Sequence, residues 1–509
     1  MNFPVWDPAF GTVWIMVLVG VFHVFISHFA IGGGLFLVVV ETRAHRLNDL
    51  GLLEWLKRHS RFFVYATLVL GALSGVGLWF TVALISPEAT LSLVRTFLWV
   101  WAVEWVLFLV EILSILVYAY SWESLERRTH RLVGWVYFLA SFASLVAVAP
   151  ILSFQLTPGR WLATHSLLPA FFNPGFLPSI VLRSLVCLML GGLFSMLTVS
   201  WEKDRPLRME VAKYASLWVW IPALLVAPAT YWYLSSVPLQ LRRTVITDTF
   251  VRHFTEGLIL MGGLVVLLSL ALVWFRPRFL NLAVAMVLLV LAFGAVGALE
   301  WVREDLRKPY LISGDLYANH VPVASLASVR QKGLLASCLW TEAKAVTPGR
   351  EVRAGHEVFL IACSSCHRPV KGMNPLGPAV KGLDESFLAA TILKSEIMRH
   401  AMPPFPGKPE EADALARYLL VSAPLGPPAM GGRAVWGRRC GFCHTLKGPE
   451  RPVKPFFLGK TQDEVSDILG TIDSLNAAMP RWTGSPAEKE ALAHYLATLT
   501  PVKSSGAGR

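Results

Sequence analysis

Four of the six cysteines lie in two Cys-x-x-Cys-His motifs, which read CSSCH and CGFCH. The motif residues are Cys363, Cys366 and His367 in the first copy, and Cys440, Cys443 and His444 in the second. Two thiols at this spacing can each bond to one vinyl group of a haem, and the histidine that follows can reach its iron. A cysteine pair alone would also fit zinc or disulfide exchange. The added histidine, present twice, favours two covalently attached haems c.

A methionine followed by proline lies 35 residues after each motif histidine, in the segments AMPPF and AMPRW. Met402 and Met479 are therefore the predicted sixth ligands of the two irons, and Met398, one helical turn before Met402, is the alternative in the first copy. Histidine–methionine ligation raises the reduction potential and leaves no iron position open for substrate. The pattern thus predicts two electron carriers. His356 and His400 are predicted to be surface residues or neighbours of haem propionates.

The region around these motifs repeats itself with a period of 77 residues and without a gap. Gly355 corresponds to Gly432 and Tyr418 to Tyr495, and the last helices read ALARYLL and ALAHYLA. A fixed period of this kind indicates copies of one structural unit. The sequence therefore predicts two small helical cytochrome c domains, at 351–425 and 428–509, joined by the Pro/Gly-rich stretch SAPLGPPAMGG.

The composition of the rest of the chain indicates that most of it lies in a membrane. Hydrophobic residues make up 54% of the 509 residues, charged residues 16%, and the mean hydropathy is +0.53. A hydrocarbon core about 30 Å thick needs roughly 20 apolar residues per helix. Eight stretches before residue 302 qualify: 12–40, 62–86, 94–120, 132–155, 178–200, 212–236, 255–275 and 279–301. We expect an all-α chain, with a polytopic bundle at 1–301, a linker and docking segment at 302–350, and the two cytochrome c domains.

Most of the net charge of +12 lies on the apolar part, between its hydrophobic stretches. The basic residues fall in the loops after the first, third, fifth and seventh stretches: Arg43, Arg46, Lys57, Arg58, Arg61, Arg127, Arg128, Arg131, Lys203, Arg205, Arg208, Lys213, Arg276 and Arg278. Such loops face the cytoplasm. The N-terminus, interpreted as part of an uncleaved anchor, and the cytochrome domains are then expected on the periplasmic side of a bacterial inner membrane. The charge is a topology signal and not one for nucleic acid.

Five of the ionisable residues inside the predicted spans are the main functional candidates: His23 and His28 in the first, Glu104 and Glu111 in the third, and Glu300 at the end of the eighth. Charged groups at such depth cost roughly 2.5–3.5 kcal/mol each on insertion scales, so each is a functional candidate. The two glutamates of the third span are seven residues apart and share a helix face. They could form a proton path or stabilise a cationic iron centre, and His28 could equally be a hydrogen-bonded interior histidine.

Three of these spans resemble the cytochrome bd oxidase subunit I family. FHVFISHFAIGGGLFLVVVET resembles the family's first helix, whose histidine ligates the oxygen-reactive haem, and that histidine falls on His23. EWVLFLVEILSILVYAYSWE resembles the two-glutamate helix, in which Glu111 keeps its distance from Trp122 but Glu104 lies one residue closer than the family's first glutamate. LEWVREDLRKPYLI resembles the segment in which a glutamate ligates a second haem, which implies roles for Glu300 and Arg303.

The resemblance covers about residues 1–320 and implies two membrane haems of b or d type and a related second membrane subunit. The chain departs from the family pattern at the residues that bind the third haem and quinol in the family. The helix-five histidine that holds a third haem in the family falls on Leu182, and Met261 or His253 remains open as a ligand on the seventh span. The quinol-binding loop shrinks to about 20 residues, and two haem modules replace the ninth helix. These changes suggest that the two haems c replace the quinol site as the place where electrons enter or leave the protein.

Three functions follow as alternatives. The first is a respiratory enzyme that passes electrons between the haems c and the membrane haems, in its sharpest form a bd-like oxidase that reduces oxygen with a cytochrome c as donor. The second is a non-oxidase relay subunit of a larger respiratory complex, with a soluble or membrane cytochrome as redox partner. The third is a haem-free membrane anchor for the two cytochrome domains.

Overall fold

The structure is a computed structural model that describes residue 6 and residues 12–499, apart from 373, 399–401, 424–425 and 449–450. The chain divides into two compact units: Trp14–Arg307 forms one, and the other begins at Lys308. The first unit consists of long helices, and the second contains two helical modules with one short hairpin. The predicted all-α class is confirmed.

Eight helices in the described part of the chain are long and apolar enough to cross a membrane, as predicted. They are α1 Thr12–Leu47, α2 Leu50–Val64 continued through a π-helical segment Tyr65–Gly71 and Ala72–Ile85, α3 Pro87–Tyr120, α4 Arg127–Phe154, α5 Phe176–Val199, α6 Arg205–Ser236, α7 Thr249–Leu268 continued by the π-helical turn Ser269–Trp274, and α8 Leu282–Leu306. Shorter helices lie between them at Trp161–Thr164, Leu167–Phe171, Pro277–Phe279 and Leu239–Thr247.

The connection between the first two spans differs from the prediction of a long basic loop. α1 runs on to Leu47, and α2 begins at Leu50, where the Asp49 side chain accepts a hydrogen bond from the Leu52 amide at 2.8 Å. The first turns of α2 are amphipathic, with Trp55 buried and Arg58 outward. An N-cap and an apolar face stabilise a helix that carries several charges, which a search for uninterrupted apolar stretches overlooks.

Helices α1 and α5 approach closely at two glycines. A Cβ on Gly32 would lie 1.7 Å from the Cys187 carbonyl oxygen, and one on Gly191 would lie 2.7 Å from the Gly32 carbonyl oxygen. Small residues let membrane helices bring their backbones together, where packing and polar contacts replace the hydrophobic effect. This contact brings the segment of α1 that holds His28 against the segment of α5 that holds Arg183.

The second unit starts with a β-hairpin. Strands β1 Tyr310–Ile312 and β2 Leu316–Tyr317 pair antiparallel, with Tyr310 opposite Tyr317. The short helices Val323–Ser325, Leu326–Lys332 and Leu334–Ser337 follow. Leu334 and Cys338 are fully buried in the hydrophobic core of the first module. The stretch predicted as a linker is therefore packed structure for part of its length.

The two modules have the same helix order, as the repeat predicts. The first has α9 Glu351–Ala362, Gly377–Val380, α10 Glu385–Ile392, Ser395–Ile397 and α11 Pro409–Ser422, and the second has α12 Gly432–Arg439, Lys454–Phe457, α13 Gln462–Gly470, Ile472–Leu475 and α14 Pro486–Ala497. The repeated glycines allow the first helix to cross the last. A Cβ on Gly355 would lie 2.0 Å from the Ala414 carbonyl oxygen, and one on Gly432 would lie 2.1 Å from that of Ala491.

Candidate haem sites

Each Cys-x-x-Cys-His motif forms a tight turn at the end of the first helix of its module. The Cys363 amide donates to the Phe359 carbonyl at 2.9 Å, and the His367 amide donates to the Cys363 carbonyl at 2.9 Å. The second module repeats this turn, with the His444 amide 3.0 Å from the Cys440 carbonyl. Burial raises the pKa of the first thiol in each motif to about 12. None of the four motif cysteines forms a disulfide.

The motif histidines are oriented in the same way in both modules. His367 Nδ1 lies 3.0 Å from the carbonyl oxygen of Asn374, and His444 Nδ1 lies 3.1 Å from that of Arg451. These two carbonyls occupy equivalent repeat positions, and both residues have positive φ, 47° and 41°. A proton held on Nδ1 makes Nε2 the nitrogen that carries the lone pair. This donor set fits a haem iron bound through Nε2.

The methionine segments are fixed by short hydrogen bonds. Ser395 Oγ donates to the Pro403 carbonyl at 2.8 Å, and the Met479 amide donates to the Asn476 carbonyl at 2.8 Å. Met402 and Met479 are both half-buried, and so is Met398. The repeat supplies a discriminating signal, because the position equivalent to Met398 is Leu475, which has no ligand atom.

Of the other module histidines, His356 is exposed beside the ring of Tyr418. His400 lies outside the described residues. The exposed ring of His356 is consistent with the predicted surface position.

The first module is held by the segment before it. Ser365 Oγ donates to the Ala318 carbonyl at 3.0 Å, and Asn319 Nδ2 donates to the Pro404 carbonyl at 3.0 Å. The buried carboxylate of Glu411 accepts from the amides of Leu334 and Leu335, each at 2.8 Å. Sequence reasoning missed these contacts, because none of these residues has a chemical signature.

The second module uses the equivalent positions differently. Its counterpart of Glu411 is Glu488, which pairs with Arg438 and, at 3.0 Å, with Arg439. The first module carries Ile361 and Ala362 where these arginines stand. The second module thus satisfies this carboxylate with its own arginine side chains, whereas the first satisfies it with backbone amides of the preceding segment.

Arg439 joins the two modules. Its guanidinium lies 3.5 Å from Asp384 and 5.1 Å from the Phe387 ring of the first module, and 5.1 Å from the Trp482 ring of its own. Phe442, between the two cysteines of the second motif, packs against the core of the first module. Its repeat counterpart is Ser365, so both modules use this position to contact the segment that precedes them in the chain.

In the membrane unit, α1, α5 and α8 bring together a buried charged cluster. Glu300 contacts Arg183 Nη2 at 3.0 Å through Oε1 and Arg303 Nε at 2.8 Å through Oε2. His28 Nε2 lies 3.3 Å from Arg183 Nη1. The cluster has two guanidinium groups for one carboxylate, and Arg303 Nη1 is buried without a hydrogen-bond partner in the described chain. A surplus buried donor fits an anionic group such as a haem carboxylate.

His23 lies outside this cluster. Its Nδ1 is 3.2 Å from Ser74 Oγ on α2, and a Cβ on Gly75 would lie 3.0 Å from its ring. The glycine gives the imidazole room against α2. A hydroxyl on Nδ1 orients the ring for coordination through Nε2, so the donor set of His23 fits an iron.

The glutamates of α3 face α4. Ser144 Oγ donates to Glu104 at 3.4 Å, whereas the buried Oε1 of Glu111 has no hydrogen-bond partner among the residues that the structure describes. The expectation that both lie on one face is consistent with their shared neighbour Ser144.

One buried ionisable network was not predicted. Glu41, fully buried, accepts from Tyr118 at 2.9 Å and contacts His130 Nδ1 at 3.0 Å. These residues lie at the ends of apolar stretches, where the sequence suggests solvated loop positions. Their burial follows from the helices extending beyond the apolar stretches.

Comparisons with protein families give matches to both parts of the chain. Residues 13–235 match the model of cytochrome bd terminal oxidase subunit I, and residues 350–419 and 427–496 each match that of cytochrome C oxidase, cbb3-type, subunit III. The solved structure of bd oxidase from Geobacillus thermodenitrificans shares the fold with a TM-score of 0.51 at 16% identity, over 61% of this chain and 90% of that one. No curated protein matches the chain.

The predicted resemblance is thereby confirmed for both parts of the chain. The chain joins a multi-pass membrane domain of the cytochrome bd subunit I type to two tandem cytochrome c domains, and it is a membrane haem protein of respiratory electron transfer.

Proposed function

We propose that the chain is a bd-like oxidoreductase subunit that passes electrons between its two cytochrome c modules and a membrane haem site, and that it reduces oxygen with a cytochrome c as electron donor. One observation carries the proposal. The membrane bundle holds the buried charged cluster around Glu300 and, apart from it, the oriented ring of His23. The same chain carries two Cys-x-x-Cys-His motifs whose histidines have the same geometry.

In the modules, Cys363 and Cys366, and Cys440 and Cys443, would attach the haems, with His367 and Met402, and His444 and Met479, as axial ligands. Haem supplies an iron that takes up and returns one electron. The protein orients each histidine through one backbone carbonyl, at Asn374 or Arg451, and burial of the first cysteine of each motif excludes water from the attachment site.

In the membrane, His23 would hold one haem of b or d type and Glu300 a second. Arg303 Nη1 would satisfy a haem carboxylate, and His28 and Arg183 would hold Glu300 in place. Glu104 and Glu111 would carry protons along the face of α3 toward this site. This proton path would require polar neighbours beside the two carboxyl groups, and Ser144 is one such neighbour.

The contact at Arg439 and Phe442 would keep the two modules in one arrangement, which fixes the distance that an electron crosses between them. The positive-inside pattern of the basic loops supports the proposal that the modules lie on the periplasmic side of a bacterial inner membrane. A related second membrane subunit, further subunits of a respiratory complex and a cytochrome as redox partner complete the proposed assembly.

A specific observation favours the relay as second candidate. Both oxygens of Glu300 contact arginines, so an iron bound there would have to displace one ion pair. In the relay, Glu300 would keep both arginine partners and His23 would pair with a second protein ligand, such as His28 or His253. An iron with both axial positions taken by the protein would pass electrons on without binding oxygen.

The test is the reduced spectrum of the purified complex with and without carbon monoxide, together with oxygen consumption driven by reduced cytochrome c. We expect a carbon monoxide shift in a b- or d-type band that is lost in His23→Ala and kept in His165→Ala, an exposed control. Membrane haem bands that ignore carbon monoxide would establish the relay. Absorption of c type alone would show a haem-free anchor.

A further inference from the structure

His320 is a buried histidine that the proposed sites do not use. It follows β2, its exposed fraction is 1%, and neither ring nitrogen has a hydrogen-bond partner within the described ranges. Burial lowers its pKa to about 4, so the ring is neutral near pH 7, with one N–H donor and one acceptor. A buried polar group without a hydrogen-bond partner destabilises a fold, so the His320 ring calls for a compensating partner.

The backbone around His320 is tied to both walls of the first haem c site. Ala318 accepts from Ser365, which lies between the two motif cysteines. Asn319 donates to the carbonyl of Pro404, two residues after Met402. We name residues 317–321 the cap segment. It therefore meets the cysteine wall and the methionine wall of the same site within two consecutive residues.

The position of His320 within the cap segment is set locally. Its amide donates to the Tyr317 carbonyl at 3.0 Å, and the Val321 amide donates to the Asn319 side chain at 3.3 Å. The residue has a φ of 63°, which a non-glycine residue adopts at a cost. The backbone conformation thus holds the imidazole in a buried position, although no hydrogen bond of the ring stabilises it there.

A haem offers few groups to an imidazole. Its rim is apolar apart from the two propionate carboxylates, and the iron positions of the first module belong to His367 and Met402 in the proposed function. We propose that the His320 ring donates a hydrogen bond to a propionate of the haem c in the first module. This inference rests on the proposed attachment of haem at Cys363 and Cys366.

The proposal assigns His320 a positioning role with an electrochemical consequence. A hydrogen bond to a carboxylate disperses negative charge that would otherwise favour the oxidised iron, and such bonds tune the potential of a haem. At the second module, the corresponding contacts come from Lys394 and Ile397 of the first module, and neither residue has an imidazole. The effect should therefore be confined to one of the two haems c.

The experiment is a redox titration of the c-type band in the full-length, haem-loaded chain. The two components are assigned beforehand with Met402→Ala and Met479→Ala. His320→Leu removes both ring nitrogens and keeps apolar bulk, whereas His320→Asn keeps a shorter N–H donor and tolerates positive φ. His356→Leu and His356→Asn, on the exposed face of α9, are the matched controls.

We expect the midpoint potential of the first-module haem to fall in His320→Leu and to fall less in His320→Asn, with the second haem and both controls unchanged. If the leucine variant does not accumulate, a fall in the asparagine variant alone supports the proposal. An unchanged potential in whichever variant accumulates overturns it. Loss of an axial-ligand band in the His320 variants would instead show that His320 binds the iron, which also overturns it.

A separate readout distinguishes failure of the proposed function. Covalent haem is counted on the denatured chain with and without Cys363→Ala and Cys366→Ala. If these changes remove no haem, the attachment itself is wrong. If they remove one haem while the His320 variants leave its potential unchanged, only the role of His320 fails.

Discussion

The guanidinium of Arg183 lies 3.0 Å from the carboxylate of Glu300, and both side chains are nearly buried among the membrane helices. Arg183 stands beside the position at which the family's haem-binding histidine would fall, Leu182. An arginine on α5 thus faces the glutamate on α8 that is the proposed ligand.

Breaking this pair should destabilise the protein. Arg183→Ala leaves the Glu300 charge with one partner instead of two, and removing one member of a buried ion pair typically costs about 3–5 kcal/mol. We expect a lower melting temperature of the purified protein and reduced membrane haem content. Arg252→Ala, which removes an exposed pair with Glu256, should leave the melting temperature unchanged. Equal melting temperatures for the two variants would contradict the structural importance of the cluster.

Arg439→Ala should loosen the second module from the first. The change removes the ion pair with Glu488, the contact with Asp384 and two ring contacts, whereas the first module has an alanine at the same repeat position. We expect faster proteolytic cleavage within SAPLGPPAMGG. Arg433→Ala, on the exposed side of α12, is the control and should be cut at the original rate. Equal cleavage rates would show that Arg439 does not join the modules.

Acid should weaken the second module through Glu488. Burial would raise the pKa of this carboxyl, but the hydrogen bond from Arg438 and the charge of Arg439 hold it below its usual value. A lowered folded-state pKa stabilises the fold above the unfolded value of about 4.5, and this stability is lost as pH falls toward the lowered pKa. Unfolding followed by haem absorbance should show this loss. It should disappear in Glu488→Gln and persist in Glu490→Gln, which changes an exposed carboxyl.

Gly32→Ala should prevent the helices α1 and α5 from packing. The new Cβ would lie 1.7 Å from the Cys187 carbonyl oxygen, a distance that only a backbone shift can relieve. We expect little folded protein in the membrane, measured by size-exclusion chromatography after extraction. Gly262→Ala, where nothing lies within 4 Å, should fold at least as well, because alanine favours a helix over glycine by up to about 1 kcal/mol. Similar yields from both variants would contradict this packing.

The sixth ligand of the first module can be decided by two substitutions. We expect Met402→Ala to lower the midpoint potential of one haem c strongly, because a thioether ligand raises the potential. Met398→Ala should leave the potential unchanged, since the second module has a leucine at that position. The opposite pattern in a redox titration would assign the ligand to Met398.

Much of the architecture could be predicted because its signals are local. Apolar stretches long enough to span lipid predict α1–α8, and the 77-residue period predicts two modules with the same helix order. The ends of the helices are harder to predict from the sequence. α2 begins at Leu50 inside a charged segment, because a capping aspartate and one buried face are sufficient to continue a helix there.

By itself, the sequence predicted the haem c chemistry from two cysteine pairs, two histidines and two methionines, because their spacing along one chain predicts which haem each would reach. Only the tertiary structure decided which distant residues meet. Arg183 meets Glu300, Arg439 meets Asp384, and the cap segment meets Ser365, because helix crossings and module docking bring these residues together across long sequence separations. Such contacts leave no periodic or spaced pattern in the chain, since their geometry exists only after packing.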